Sequence, residues 1–188
     1  MSEKQEIKPK YIICDLDGCL INSAWIWEVV KFLNAAQDEA FDIFNRLANA
    51  DRNTIDLSLY KYLCFKASGG LKIHFLTARS ELIEVETINF IQKRTGLIFG
   101  KEFTISFRPN NDLSTPAESK AVRLQHFIDS GREIALAIDD EIEVLKMYAS
   151  KNIPCLRWIN GFLPIQVVRE YGNQISNLIN VREEICKN

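Results

Sequence analysis

The sequence predicts an α/β fold: a Rossmann-like parallel sheet with helices on both faces and a small helical insertion after the first strand. Two observations carry that expectation. Short apolar runs recur along the chain, and each stops abruptly at polar or acidic residues, as buried strands do where they reach their loops. Amphipathic helical stretches lie between them, and strands alternating with helices imply parallel pairing through crossover helices.

The elements follow in order. After a polar lead-in over residues 1–10, the run YIIC at 11–14 meets DLDG. KIHFL at 72–76 meets TARS, EFTISF at 102–107 meets RPNND, EIALAI at 133–138 meets DDE, and PCLRW at 154–158 meets ING. A helix over 80–94 has Ser80 as its N-cap and Gly96 past its end, with Leu82, Ile83, Val85 or Glu86, and Phe90 facing inward. A helix over 117–130 turns Val122, Leu124, Phe127 and Ile128 inward, and one over 141–151 turns Ile142, Val144, Leu145 and Tyr148. Residues 22–66 break the alternation. From about Thr54 they should form the crossover helix to the second strand. Residues 22–50 are then a cap-like helical insertion overhanging the first loop. Its aromatics (Trp25, Phe32, Phe41, Phe44) are expected chiefly as core, the alternative being a lid that stacks on a nucleobase. Residues 163–188 should form a C-terminal helical extension carrying Val168, Tyr171, Ile175, Leu178, Ile179 and Ile185 on one stripe. That stripe packs on the domain itself or makes a homodimer.

The 188 residues suit a single domain, and 47% hydrophobic with 26% charged residues gives an ordinary globular balance. A net charge of −2 demands neither a nucleic-acid nor a membrane partner. The N-terminus is too polar for a signal peptide, and no apolar run reaches the length of a membrane span. Five cysteines without a CxxC pair read as reduced thiols, so the expected location is cytoplasmic.

The ligand edge of such a sheet is the carboxyl end of its strands, where every polar cluster falls. Asp15 and Asp17, two residues apart, can converge on one cation. Asp15 is placed to act as nucleophile, Asp17 as acid then base. Gly18 lets the backbone turn tightly. The Thr77 hydroxyl with adjacent backbone N–H groups, that of Ala78 included, can hold a phosphoryl oxygen. Arg79 either reaches a substrate phosphate or lies in solvent. Lys120 can neutralise phosphoryl charge. Asp139 and Asp140 end an apolar run and form a helix cap or a cation site. Mg²⁺ prefers hard oxygen ligands, which Asp15, the Asp17 carbonyl and Asp139 would supply, with Asp140 as a further or outer carboxylate.

The order DxDG, Thr, Lys, DD resembles the haloacid dehalogenase superfamily through DLDGCL (15–20), FLTARS (75–80), SKAVRL (119–124) and AIDDE (137–141). The resemblance covers roughly residues 11–162. It implies a Mg²⁺-dependent phosphatase working through a phosphorylated Asp15. Within the superfamily, LTARS, RPNND (108–112), LAIDDEIEVLKMY (136–148) and NIPCLRW (152–158) are similar to the 3′-phosphatase domain of bacteriophage polynucleotide kinases and its stand-alone relatives. The implied substrate is a phosphorylated small molecule or a nucleic-acid 3′ end. Cys19 stands where Thr or Val is usual, and INSAWIW holds no arginine. A phosphoacceptor signalling module would place its paired acids first, whereas here the DD pair comes last. A phosphomutase would need a cap larger than 22–50.

Overall fold

A computed structural model describes residues 9–158, without the side chains of Gln37 and Asp38. Five strands pair in parallel in the order β5–β4–β1–β6–β7, where β1 is Lys10–Cys14, β4 Lys72–Ser80, β5 Phe103–Arg108, β6 Glu133–Asp139 and β7 Cys155–Arg157. The chain runs outward from β1 in one direction, then returns to its other side. The switch point therefore lies at the C-terminal end of β1, where an open parallel sheet binds its ligands.

Alternation along β1 divides the core. Ile12 and Cys14 join Leu59, Tyr62, Leu63, Phe90 and Ile91 on one face, under α3 (Leu57–Ser68) and α4 (Glu84–Thr95). Tyr11 and Ile13 join Leu124, Phe127, Val144, Leu145 and Tyr148 on the other, under α5 (Pro116–Asp129) and α6 (Ile142–Ser150). Cys14, Cys19 and Cys155 are free and buried.

The insertion is pinched off by a two-stranded antiparallel pair, β2 (Ile21–Asn22) with β3 (Thr54–Ile55). Between them run α1 (Ala24–Phe32) and α2 (Gln37–Leu47), packed on a small core of Ile26, Phe44 and Ala48. The crossover helix α3 begins only at Leu57, because the Asp56 carboxylate accepts from the backbone of Ser58 and Leu59 and fixes the start there. Two-residue strands have no periodicity for a sequence reading to find.

Several inward faces differ from expectation. Strand β4 continues through Thr77, Ala78 and Arg79 to Ser80. Ser80 caps a 3₁₀ turn over Glu81–Ile83 rather than the helix itself. That tighter turn changes the angular phase, so Thr87, Phe90 and Ile91 face inward while Leu82 and Val85 are exposed. Val122 and Ile142 also face solvent. Of the insertion aromatics, Phe44 is buried, Trp25 and Phe41 are half-buried, and Phe32 is 88% exposed at the end of α1. The expected extension at 163–188 lies outside the described residues. Among the described residues no helix is long and apolar enough to cross a membrane.

Candidate active site

At the end of β1, Asp15 is held by its own N–H, which donates to the Ile138 carbonyl at 2.9 Å. The chain then doubles back within six residues: Ile21 N–H donates to the Leu16 carbonyl at 2.7 Å and Gly18 N–H to the Ile21 carbonyl at 3.0 Å. Gly18 sits at φ 78°, and a side chain there would collide with the Asp140 carboxylate. Both constraints call for glycine.

Lys120 enters from α5. The Thr115–Glu118 capping box and Pro116 at the first helical position set the start of that helix, and with it the direction of Lys120 one turn on. Its buried ammonium lies 3.0 Å from Asp15 Oδ1 and 2.8 Å from Asp139 Oδ2. Asp139 Oδ1 also accepts from Glu141 N–H. Burial alone would lower the Lys120 ammonium, yet Asp139 and Asp15 hold it well above the usual lysine range. The carboxylates move the other way. Burial, with Asp139 and Asp17 adding to it, pushes Asp15 up to about 7 against the pull of Lys120. Burial and the charge of Asp15 push Asp140 up to about 7, and burial raises Asp139 to about 6. Three crowded carboxylates therefore share one ammonium, and Lys120 is the cation closest to Asp15 Oδ1 among the described residues. This arrangement calls for a further cation.

The residues fit one. Ligand atoms of Asp15, Cys19 and Asp140 all lie within 4.8 Å of one another. The Cys19 thiol faces the Trp158 carbonyl at 3.5 Å, and a hard cation such as Mg²⁺ takes oxygen in preference to sulfur. Asp15 and Asp140 are thus the pair facing a common centre, while Asp139 is committed to Lys120. The sequence reading gives Asp139 as the direct ligand and Asp140 as a further or outer carboxylate.

Asp17 and Arg79 form a second cluster. The Arg79 guanidinium is buried and grips Asp17 in a fork, Nε to Oδ2 at 2.7 Å and Nη2 to Oδ1 at 2.8 Å. The same group donates to the Ala48 carbonyl (2.9 Å), Asn49 Oδ1 (2.7 Å) and Thr87 Oγ1 (3.3 Å). Arg79 is therefore not in solvent; it borders the site and ties Asp17 to the end of the insertion. Thr77 is fully buried, its hydroxyl accepting from Arg79 N–H and its carbonyl from Arg123 Nη1. Ala78 lines the site.

A cavity of about 280 Å³ opens among Asp15, Asp17, Lys120, Asp140, Trp27 and Phe41. The α1–α2 insertion thus supplies an aromatic wall directly over the carboxylates. Sequence reasoning passed over Asn49, which carries no recognisable signal. Arg123 had one: it lies three residues after Lys120 on the same helix face, and it donates to the Thr77 and Ser106 carbonyls.

No family model matches the sequence, and no curated protein matches it. Solved structures do share its fold. A chain of the Pnkp1/Rnl/Hen1 RNA repair complex superposes with a TM-score of 0.62 at 20% identity, covering 86% of this chain and 46% of that one. This protein thus spans less than half the length of that relative. A putative β-phosphoglucomutase from Bacteroides vulgatus gives a TM-score of 0.58 at 15% identity, covering 96% and 89% of the two chains. The haloacid dehalogenase-like hydrolase SP0104 from Streptococcus pneumoniae gives 0.54 at 15%, covering 81% and 87%.

Proposed function

We propose, for a chain with the haloacid dehalogenase-like fold, that it is a Mg²⁺-dependent phosphomonoester hydrolase with Asp15 as nucleophile. The observation that carries this reading is the buried Asp15 at the end of β1, paired with Lys120 and facing Asp140 across a cavity. Asp15 attacks phosphorus, forming an aspartyl phosphate as the bond to the leaving oxygen breaks. Asp17 gives that oxygen its proton, then takes one from the water that cleaves the intermediate and releases phosphate. Both Asp17 oxygens accept from Arg79, which orients the carboxylate and leaves each oxygen a second lone pair through which a proton can move. Lys120 offsets charge on Asp15 and the phosphoryl group. Mg²⁺ held by Asp15 and Asp140 would supply further charge neutralisation.

Nucleotides and polynucleotide 3′-phosphate ends are the proposed substrates. The aromatic wall over the cavity supports that choice, as does the fold shared with a chain of an RNA repair complex. Purified protein assayed with Mg²⁺ against aryl phosphates, sugar phosphates, nucleoside monophosphates and 3′-phosphorylated oligonucleotides tests the reading. Phosphate release that requires Mg²⁺ and stops in EDTA is expected. The absence of release from every substrate would overturn it.

A further inference from the structure

A second cavity, of about 410 Å³, adjoins the first and shares Phe41, Asn45 and Ala78 with it. One molecule can therefore occupy both. The added wall comes from the RPNND segment at the end of β5 and includes Arg108, Asn110 and Leu113.

Arg108 is the unusual member. It is 6% exposed, and its position is fixed from two sides. Its Nε donates to the Asp112 carbonyl at 3.0 Å and its Nη2 donates to the Ser114 carbonyl. Its guanidinium carbon lies 5.1 Å from the centre of the Phe41 ring, a cation–π contact. The remaining nitrogen, Nη1, has no acceptor among the described residues. Buried charged donors are rarely left unmatched, because the loss of hydration is then uncompensated. Nη1 is shut off from solvent as the chain stands, so a small shift of the surrounding side chains must open it to an acceptor in the cavity that Arg108 lines. The side-chain amides of Asn45 and Asn110 line the same cavity and make no hydrogen bond among the described residues. Each offers both a donor and an acceptor.

The other lining groups decide what the occupant is. Asp42 and Asp112 also face this cavity. Asp42 is bridged to Arg46 at 3.0 Å, while hydrogen bonds from Ser114 and Ser119 hold the Asp112 carboxyl down at about 2. Two fixed carboxylates beside one guanidinium repel a second phosphate. Phe41, Leu82 and Leu113 add apolar surface, the last two largely exposed. A neutral, flat ring with acceptor atoms at its edge satisfies every one of these groups.

We propose that this cavity is the leaving-group subsite and that it takes the nucleobase of a nucleoside phosphate, with Arg108 Nη1 donating to a base carbonyl or ring nitrogen and Asn45 or Asn110 pairing along its edge. The proposal rests on the phosphatase reading for its place in turnover, but not for binding.

The test has two arms. In the first, the full chain is titrated with nucleosides lacking phosphate, and amide chemical shifts are followed by NMR. Saturable shifts at positions 41, 45, 108 and 110 are expected; shifts absent there at millimolar nucleoside would overturn the subsite. In the second, kcat/KM is measured for nucleoside 3′- and 5′-monophosphates and 3′-phosphorylated oligonucleotides. Each value is divided by that for glycerol phosphate, whose leaving alcohol has no ring. Arg108→Gln should lower this ratio about tenfold, the loss expected when a base acceptor forfeits its donor. Asn110→Ala and Asn45→Ala, which leave the Arg108 bonds to Asp112 and Ser114 in place, should lower it by a smaller factor even if Arg108→Gln fails to fold. A proportional loss on all substrates would make Arg108 structural only and overturn the proposal. A preference for either mononucleotides or oligonucleotide ends supports it and identifies the source of the base. Nucleoside shifts without turnover of any phosphomonoester would overturn the phosphatase reading and leave the subsite standing.

Discussion

Asp15 and Asp17 are two residues apart in one loop, yet their surroundings are opposite in kind. Asp15 stands among like charges, with Asp139 and Asp140 crowding it and one lysine shared between them. Asp17 meets a single arginine in a fork whose hydrogen bonds are all satisfied. The first neighbourhood is electrostatically incomplete and invites a cation and a phosphoryl group. The second is matched in charge and orients the carboxylate proposed to move the proton. The difference teaches that a DxD spacing specifies direction, not environment: alternate residues leave the loop toward separate partners.

The strongest way to break this contrast is at Asp15. Asp15→Asn should lower turnover of an aryl phosphate by on the order of 10³-fold or more, while leaving the fold intact, because the amide cannot attack phosphorus. Circular dichroism melting alongside the assay checks this, and substantial residual turnover would remove Asp15 from the nucleophile role.

At the other pole, Arg79→Lys replaces a planar fork with a point charge. The Ala48 carbonyl, Asn49 and one Asp17 oxygen would lose their donors. A destabilisation of about 2 kcal/mol is expected from denaturant titration, as when buried acceptors are left without donors. An unchanged midpoint would mean that the fork contributes nothing to holding the insertion.

A finer division concerns the acid pair. Asp140→Ala should raise the Mg²⁺ concentration for half-maximal activity about tenfold or more, with a smaller effect from Asp139→Ala, since Asp139 serves Lys120. The same contrast should appear without turnover, as a Mg²⁺-induced rise in melting temperature that Asp140→Ala removes. Equal effects from the two variants would erase the distinction.

The smallest effect lies outside both poles and separates the fold from the site. His74 is buried in β4 with a hydroxyl at each ring nitrogen, Thr104 at 2.8 Å and Ser106 at 3.1 Å. Burial, with Arg132 and Arg123 nearby, lowers it from 6.5 to about 3. The unfolded chain then binds the proton more readily than the folded one. His74 therefore contributes no penalty above pH 6.5, and stability is lost as pH falls from there toward about 3. Asp15, Asp139 and Asp140, raised in the fold, titrate in the same window with the opposite sign, so the measurement is the difference between the native chain and His74→Gln. Melting in EDTA from pH 6.5 downward should favour His74→Gln progressively.

Much of this was legible in the sequence, for reasons that residues make plain. YIIC against DLDG and EIALAI against DDE are apolar runs cut off by acids, and burial leaves such runs one conformation to adopt. The sheet, its helices and the meeting of Asp15, Lys120 and the acid pair follow. Which acid of the pair meets Lys120 was not legible. Asp139 is the last residue of β6 and turns into the interior; Asp140, one residue on, turns toward Gly18. A single step of strand alternation decides which acid meets the lysine. Arg79 was legible as a phosphate contact or a solvent-facing residue, but its fork with Asp17 was not, because its other partners Ala48 and Asn49 lie 31 and 30 residues away. The Leu82 and Val85 face was misplaced because a 3₁₀ turn precedes the helix.

The Arg79 fork has one more implication, for modularity. Insertions at this point of a sheet look exchangeable, since a two-strand neck is all that joins them to the body. Here the exchange is constrained by a carbonyl at 48 and an amide at 49, both taken by the guanidinium that also orients Asp17. A transplanted insertion that fits the neck but offers no acceptors at those two places would leave a buried arginine half-satisfied and its carboxylate misaligned. Such a chimaera would fold around a disarmed centre, so cap and acid are inherited as one unit.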